Sequence, residues 1–298
     1  MTWIFLSILS YFLNALVATI DKFLISEKIP EPIVYTFYIG ILSIFSLILF
    51  PFGKIFFPSF FYLIISFIAG LLFMFALFSF FRALKTNESS RVVPLIGTLT
   101  TIFSIIFSFF ILDEKLSKIK IIAIIFLLLG SLIIGLIRKE KERFVNDPPY
   151  ILLSSFFFAF SLVLSKIIYF NLSFINGFIW IRLGSFIFAL LLLFFPKIKE
   201  KIINSLKGTK QEISFLFLSN QGVSAIAFLL LNLAISLGSV SLVNALQGLQ
   251  YVFIFFFSIL ISKKYPSFLK EEVTKKVIFQ KSVAILLILI GFFILSLF

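Results

Sequence analysis

The chain has 298 residues, of which 61% are hydrophobic and 13% are charged. A mean hydropathy of +1.19 lies far above the range of soluble globular domains and indicates a helical membrane protein. The formal net charge of +13 comes from basic residues in short loops, which leaves no soluble face for a nucleic acid. Cysteine and histidine are absent, which excludes disulfides and thiolate metal sites, so we expect no metal and no cofactor.

Ten apolar stretches are long enough to cross about 30 Å of hydrocarbon as helices. They are continuous rather than alternating, which favours helices over a β-barrel. The first has neither the basic segment nor the cleavage site of a signal peptide, and we expect it to be retained. Numbered in chain order, the predicted spans are about 3–26, 32–51, 59–81, 91–112, 119–137, 150–170, 174–195, 213–236, 239–261 and 278–297.

One five-helix pattern occurs twice in the same order. The number of positions between matching residues grows only where the second copy has a longer loop. The predicted organisation is therefore a repeat over 1–137, a charged linker over 138–149 and a repeat over 150–298. In a membrane chain, such a duplication points to a transporter with its substrate path between the halves. Matching pairs are Lys22 and Lys166, Gly40 and Gly184, and Phe50 and Phe194, 144 positions apart; Ala83 and Ala234, Ser90 and Ser241, and Gly97 and Gly248, 151 apart; and Lys120 and Lys281, Ala123 and Ala284, and Gly130 and Gly291, 161 apart.

Two further connections are predicted to be substantial loops, 196–212 and 262–277. The other connections are short, so neighbouring spans form antiparallel hairpins. Odd-numbered loops hold most of the basic residues, and the positive-inside rule would therefore place both termini outside the cytoplasm.

The fourth and fifth spans carry a family resemblance. Small and polar residues from Thr86 to Thr101 run into an apolar span, Leu112-Asp-Glu-Lys-Leu-Ser117 follows, and a glycine-bearing helix extends from Ile121 to Leu136. This pattern resembles the EamA-type branch of the drug/metabolite transporter superfamily, whose half-repeats have a small-residue fourth helix, a G-E-x-L-type turn and a glycine-bearing fifth helix. Asp113 stands where that family usually has Gly, and the second copy replaces the acidic turn with Ser262-Lys-Lys-Tyr-Pro266 and an insertion.

The resemblance covers essentially the whole chain and concerns the fold more than the substrate. It implies an all-α polytopic membrane protein whose ten transmembrane helices form two inverted five-helix repeats. It further implies a central cavity lined mainly by spans 1, 3, 4, 6, 8 and 9, and alternating access. The family usually has cytoplasmic termini, opposite to the distribution of basic loops, so the orientation stays open.

Charged residues within spans cost on the order of 2.5–3.5 kcal/mol each on insertion scales. Lys22 and Lys166 occupy equivalent positions near the ends of spans 1 and 6, where they could attract an anionic group or extend to the membrane interface. Asp21 could neutralise Lys22 locally. We interpret Arg182 in span 7, with Trp180 and Asp21, as a structural anchor or gate, with direct substrate contact as the alternative.

Polar side chains form stripes on two spans of the second half. Asn244, Gln247 and Tyr251 share one face of span 9 with Gln250 adjacent, and Gln221 and Asn232 share one face of span 8. Carboxamides both donate and accept, which suits a zwitterion or a sugar-like ligand; the alternative is interhelical bonding worth about 0.6 kcal/mol each. The candidate cavity residues are Asn14, Lys22, Thr98, Thr101, Lys166, Gln221, Asn232, Asn244, Gln247, Gln250 and Tyr251.

These features favour a secondary, non-ATP transporter of a small polar metabolite such as an amino acid, a nucleotide sugar or a drug-like solute, with export as one direction. The alternative is a carrier or flippase for a lipid-linked substrate; a membrane enzyme is less favoured because spans lack His, Cys and paired carboxylates, leaving no catalytic candidates. Asp21 is the only acid within a span, so proton coupling is not supported. We expect a multi-pass protein of the cell (inner) membrane, a monomer or weak homodimer, whose partners are a small-molecule substrate and the lipid bilayer.

Overall fold

The computed structural model describes residues 1–29, 31–87, 89–136, 146–208, 211–264 and 275–297. Within these ranges the chain is helical, and ten helices are long and apolar enough to cross a membrane, which confirms the all-α, ten-span prediction. The helices are α1 Thr2–Phe23, α2 Pro32–Leu42, α3 Phe60–Thr86, α4 Ser89–Leu112, α5 Lys118–Leu136, α6 Pro148–Asn171, α7 Phe174–Leu192, α8 Pro196–Gly208, α9 Gln211–Leu237, α10 Val240–Ala245, α11 Gly248–Lys264 and α12 Lys275–Leu297.

Two of the spans change helix type along their length. A π-helical turn, Leu24–Lys28, continues α1, and a 3₁₀ segment, Ser43–Phe52, continues α2 to complete the second span. The ninth span consists of α10 and α11, and the tenth is α12. The prediction of a continuous helix over 239–261 is wrong at Leu246 and Gln247, which form a turn between α10 and α11.

The prediction of a loop over 196–212 is also wrong, because most of this segment is the amphipathic helix α8. The many basic residues of this segment lower its mean hydropathy, although its apolar positions include Ile202, which is buried in the main core. α8 packs beside α2, where Lys201 forms a 2.9 Å ion pair with Glu31 and the Tyr38 hydroxyl donates to Ser205 Oγ at 3.2 Å. Such a helix is typical of the membrane–water interface.

The ends of the spans define two faces of the bundle. The Asp21 face carries the end of α1 and the starts of α2, α6 and α9, and the Glu114 face carries the end of α4 and the starts of α5, α7 and α10. α8 belongs to the Asp21 face, because it follows the end of α7 and precedes the start of α9.

Contacts between the halves come in reciprocal pairs. Ser10 Oγ donates to the carbonyl of Ala227 at 2.7 Å, and its counterpart Ser154 donates to the carbonyl of Ala76 at 3.1 Å, where Ala76 and Ala227 also match at the 151 spacing. Contacts of this reciprocal kind are what a two-fold relation between the halves produces.

The antiparallel pair α5 and α12 gives a second reciprocal contact. Gly130 faces the backbone of Ala284, and Gly291 faces the backbone of Ala123, with no room for a side chain at either glycine. Both pairs of positions match at the 161 spacing of the sequence. Small residues here let the two helix backbones approach closely, away from the centre of the bundle.

Candidate functional site

A cavity of about 480 Å³ lies at the centre of the bundle, within the usual size range of small-molecule sites. Its wall comes from the six spans that the resemblance implies and also from spans 2 and 7. Among the described residues, the polar and charged side chains that line it are Tyr11, Asn14, Asp21, Ser43, Ser46, Thr100, Arg182, Gln221, Ser224, Asn244, Gln247 and Gln250.

Asp21 is buried and lines the end of the cavity that is nearest the Asp21 face of the bundle. Its Oδ1 accepts hydrogen bonds from the Tyr35 hydroxyl at 2.5 Å, from Asn220 Nδ2 at 2.7 Å and from Gln221 Nε2 at 3.4 Å. Such donors stabilise a buried carboxylate, because burial removes much of the water that would otherwise solvate its charge. The cluster joins α1 and α2 of the first half to α9 of the second half.

Arg182 projects from the middle of α7 onto the cavity wall. Its guanidinium carbon lies 5.1 Å from the ring centroid of Phe73 on α3 and 5.1 Å from that of Phe228 on α9. These are cation–π distances. Its counterpart Tyr38 instead reaches Ser205 on α8, so the two halves present different groups at this position.

The turn between α10 and α11 decides which side chains of the ninth span face the cavity. The amide of Gln247 donates to the carbonyl of Asn244 and that of Gln250 to the carbonyl of Gln247, at 3.0 and 2.9 Å. Hydrogen bonds between residues three positions apart are those of a 3₁₀ turn, which puts side chains three positions apart on the same side. Asn244, Gln247 and Gln250 therefore all line the cavity. Tyr251 turns towards Gly97 on α4 and is buried outside the cavity wall.

The remaining candidates divide between the cavity wall and the helix contacts behind it. Asn14 lines the cavity and donates to Ser10 Oγ at 3.2 Å. Thr101 Oγ1 lies 3.0 Å from the carbonyl of Asn244, joining α4 to α10, and Asn232 accepts from Tyr169 at 2.9 Å. Thr98 is buried and is not among the lining residues.

Lys22 and Lys166 make the same contact in the two halves. Lys22 Nζ donates to the carbonyls of Leu84 at 2.7 Å and Asn87 at 2.6 Å, at the end of α3. Lys166 Nζ donates to those of Ile235 at 2.7 Å, Ser236 at 3.1 Å and Gly238 at 2.8 Å, at the end of α9. Each ammonium therefore satisfies carbonyls that a helix C-terminus leaves free, and neither lysine lines the cavity.

We expect Lys22→Met and Lys166→Met each to lower the free energy of unfolding by about 1–3 kcal/mol, because buried carbonyls lose a charged donor. Lys201→Met, which removes an exposed charge on α8, is the matched control and should change little. The measurement is detergent-induced unfolding of the purified variants. A lysine variant of unchanged stability that no longer binds substrate would instead favour the interpretation as an anion-attracting pair.

Hydrogen bonds join the two halves at the Glu114 face. The carboxylate of Glu114, after α4, accepts from the Ser239 hydroxyl and from Ser241 Oγ at 3.3 Å, at the start of α10. Trp180 lies at the same face, where its indole N–H contacts the carbonyl of Phe56 at 3.2 Å and Asn176 Oδ1 at 3.0 Å. Trp180 thus ties α7 to the segment before α3.

One side of the cavity reaches the outer surface of the bundle. Phe45 and Ile48 of the 3₁₀ segment and Ile226 of α9 line the cavity and are 60%, 66% and 56% exposed. The cavity therefore extends laterally between the second span and α9. Within the described ranges, no cluster of three or more acidic side chains could hold a metal ion.

Sequence reasoning missed Tyr11, Tyr35, Thr100 and Asn220. Asn220 had a signal, since it precedes Gln221 and gives two consecutive carboxamides on one helix. Tyr11 donates to the carbonyl of Val243 at 2.9 Å and lines the cavity, but nothing in the sequence separates it from the many aromatic residues in the spans.

Comparisons with known proteins agree with this architecture. The sequence model of the EamA-like transporter family matches residues 1–136. A solved crystal structure, described only as that of a protein, aligns with a TM-score of 0.65 and 17% identity over 98% of this chain and 94% of its own chain. No curated protein sequence matches the chain.

The structural likeness extends the same fold over the second half, where the family model does not match. Members of the matched family are transporters, and the ten apolar helices make the chain a multi-pass membrane protein. Residues 1–136 therefore match the EamA-like transporter family of the drug/metabolite transporter superfamily, and a membrane transporter is the general function that this match supports.

Proposed function

We propose that the chain is a secondary transporter that moves a small polar metabolite by alternating access through the central cavity. One observation carries the proposal: the polar wall of that cavity comes from both halves of the chain. Asn14 and Asp21 belong to the first half, and Arg182, Gln221 and the carboxamides of the ninth span belong to the second. A solute bound by both halves favours the states in which they enclose it.

The Glu114 face supplies the contacts that would alternate. Glu114 and the serines at the start of α10 join the two halves directly, and opening this face would separate them. In the cycle, the contacts at the Glu114 face and the hydrogen bonds to Asp21 at the other face would break in turn, so that the solute meets one compartment at a time. The inner cell membrane and a monomer or weak homodimer complete the proposal.

Counterflow in proteoliposomes tests this function. Purified protein is reconstituted into liposomes preloaded with a mixed panel of amino acids, nucleotide sugars and organic anions and cations, and uptake of each labelled solute is compared with that of empty liposomes. We expect at least one solute to exchange at a rate that saturates with concentration and is insensitive to a protonophore. Absence of exchange across the panel, with correctly folded protein, would contradict the proposal.

A second candidate, a carrier of lipid-linked substrates, is favoured by the lateral extension of the cavity. Phe45, Ile48 and Ile226 line the cavity and also lie at the outer surface, which is the path that a headgroup attached to a lipid would take. Translocation of a fluorescent headgroup-labelled lipid across vesicles, measured by quenching with an external reductant, distinguishes this function. Replacing Ile226 with Trp should slow the lipid and leave a small soluble solute unaffected.

A further inference from the structure

We propose that Arg182 binds the anionic group of the substrate and that the substrate is an organic anion with an apolar body. This inference rests on the proposed function, because it names the class of solute for the same cavity. It follows from the partners of Arg182, from the position of the other charged residue on the cavity wall, and from the side chains that surround the guanidinium.

The guanidinium of Arg182 lacks an acceptor. In the part of the chain that the structure describes, it forms no hydrogen bond and no ion pair; its cation–π partners are the rings of Phe73 and Phe228, and the Tyr169 hydroxyl interacts with it electrostatically. Ring faces meet the cation but accept none of its five N–H donors in a normal hydrogen bond. A half-buried cation with free donors at a cavity wall is a site for a carboxylate, sulfonate or phosphate, which accept from arginine in a bidentate manner.

Asp21 does not compete with this role. It is the one anionic side chain among the described lining residues, and its Oδ1 already receives three donors from the protein. Its partner Asn220 precedes Phe228, the partner of Arg182, by eight residues on α9, which is about 12 Å along the helix axis. Asp21 thus belongs to the end of the cavity and Arg182 to its middle.

The surroundings of Arg182 favour an apolar body next to the anionic group. Phe158 and Phe178 also line the cavity, with ring centroids 5.9 Å from Phe73 and 6.1 Å from Phe228, so aromatic side chains from four spans form this part of the wall. An inorganic anion would leave these rings in contact with water, whereas a solute with a hydrocarbon part would cover them. Among the described lining residues, the first half contributes no cation, and the counterpart Tyr38 is directed to α8.

Isothermal titration with probes of fixed charge tests the inference. Hexanesulfonate, hexyltrimethylammonium and hexanamide share a six-carbon chain and differ in charge at all usable pH values, and methanesulfonate lacks the long chain. They are titrated into the purified full chain, Arg182→Gln, Arg182→Lys and Lys201→Gln, the last of which removes a cation outside the cavity. Unfolding without ligand reports whether each variant is folded.

We expect hexanesulfonate to bind the unmodified chain and Lys201→Gln most tightly of the four probes. Binding to Arg182→Gln should be about 10- to 100-fold weaker, as for loss of a charged hydrogen bond, and Arg182→Lys should be intermediate because it keeps the charge but not the bidentate geometry. If Arg182→Gln does not fold, the comparison of Arg182→Lys with Lys201→Gln decides.

Several outcomes would overturn the inference: hexanesulfonate does not bind, binds no better than the ammonium or the amide, or binds the Arg182 variants as well as the unmodified chain. Arg182-dependent binding in a protein that exchanges no solute in the counterflow assay would contradict transport while leaving the anion site in place. Exchange of cations or neutral solutes only would contradict the anion site while leaving transport in place.

Discussion

Replacement of Asp21 by Leu is expected to lower the free energy of unfolding by about 2–4 kcal/mol and to abolish transport. Three donors, from Tyr35, Asn220 and Gln221, converge on Oδ1 of this carboxylate, and a leucine leaves all of them without an acceptor in a buried site. Because the donors come from α2 and α9, their loss also weakens the contact between the halves at the Asp21 face. Detergent-induced unfolding and counterflow measure the two effects.

Asp21→Asn is the matched control. Its amide oxygen accepts from the same donors, so the variant should retain most of the stability that Leu loses. If stability of the Asn variant matches that of the unmodified chain while transport is lost, the negative charge itself is needed for the transport cycle. Equal stability of the Leu variant and the unmodified chain would show that the hydrogen bonds to Oδ1 contribute nothing measurable.

Replacement of Gly70 by Val should lower the free energy of unfolding by about 3 kcal/mol. A side chain here would lie well inside van der Waals contact of the carbonyl oxygen of Ile181 and 2.7 Å from the amide nitrogen of Ser185. Both obstacles are backbone atoms of α7 and cannot rotate away, so α3 and α7 must separate. This separation would also break the 3.1 Å hydrogen bond that Ser185 Oγ donates to the carbonyl of Gly70.

The same separation would displace Arg182, which follows Ile181 on α7, so substrate affinity should fall together with stability. Gly222→Ala is the control, since a Cβ at Gly222 has no atom within 4 Å. That variant should be neutral or slightly more stable, as expected for Ala in a helix. A Gly70→Val protein as stable as Gly222→Ala would mean that α3 and α7 are not in close contact in the membrane.

The repeated sequence pattern predicted more of the fold than composition could. Residues that match between the two copies, such as Ser10 and Ser154 or Gly130 and Gly291, make equivalent contacts. The repeated pattern therefore reflects packing as well as helix order. The amphipathic α8 was missed because its lysines dominate a short segment that also contains buried Ile202. Hydropathy averages over a window and so hides a single apolar face.

Several of the candidate site residues lie on the cavity wall, and their role in binding a substrate stays a prediction. Asn14, Gln221, Asn244, Gln247 and Gln250 line the cavity, as do Asp21 and Arg182, which we interpreted as gate or anchor residues. A continuous α-helix would put Tyr251 on the same face as Asn244 and Gln247. The turn at Gln247 instead puts Gln250 on that face. The lysines looked equivalent from sequence, but only tertiary contacts show that they cap α3 and α9.

The 3₁₀ segment of the second span has a consequence for the thickness of the bilayer around this protein. Ten residues in a 3₁₀ helix extend about 20 Å, against about 15 Å as an α-helix, so this 21-residue span is about 5 Å longer than its sequence suggests. The added length carries Phe50 and Phe52, which are 57% and 74% exposed, outward along the span. The added length brings this span closer to the 27-residue α3, which extends about 40 Å, and so reduces the hydrophobic mismatch at the lateral edge of the cavity, where mismatch costs fractions of a kcal/mol per Å.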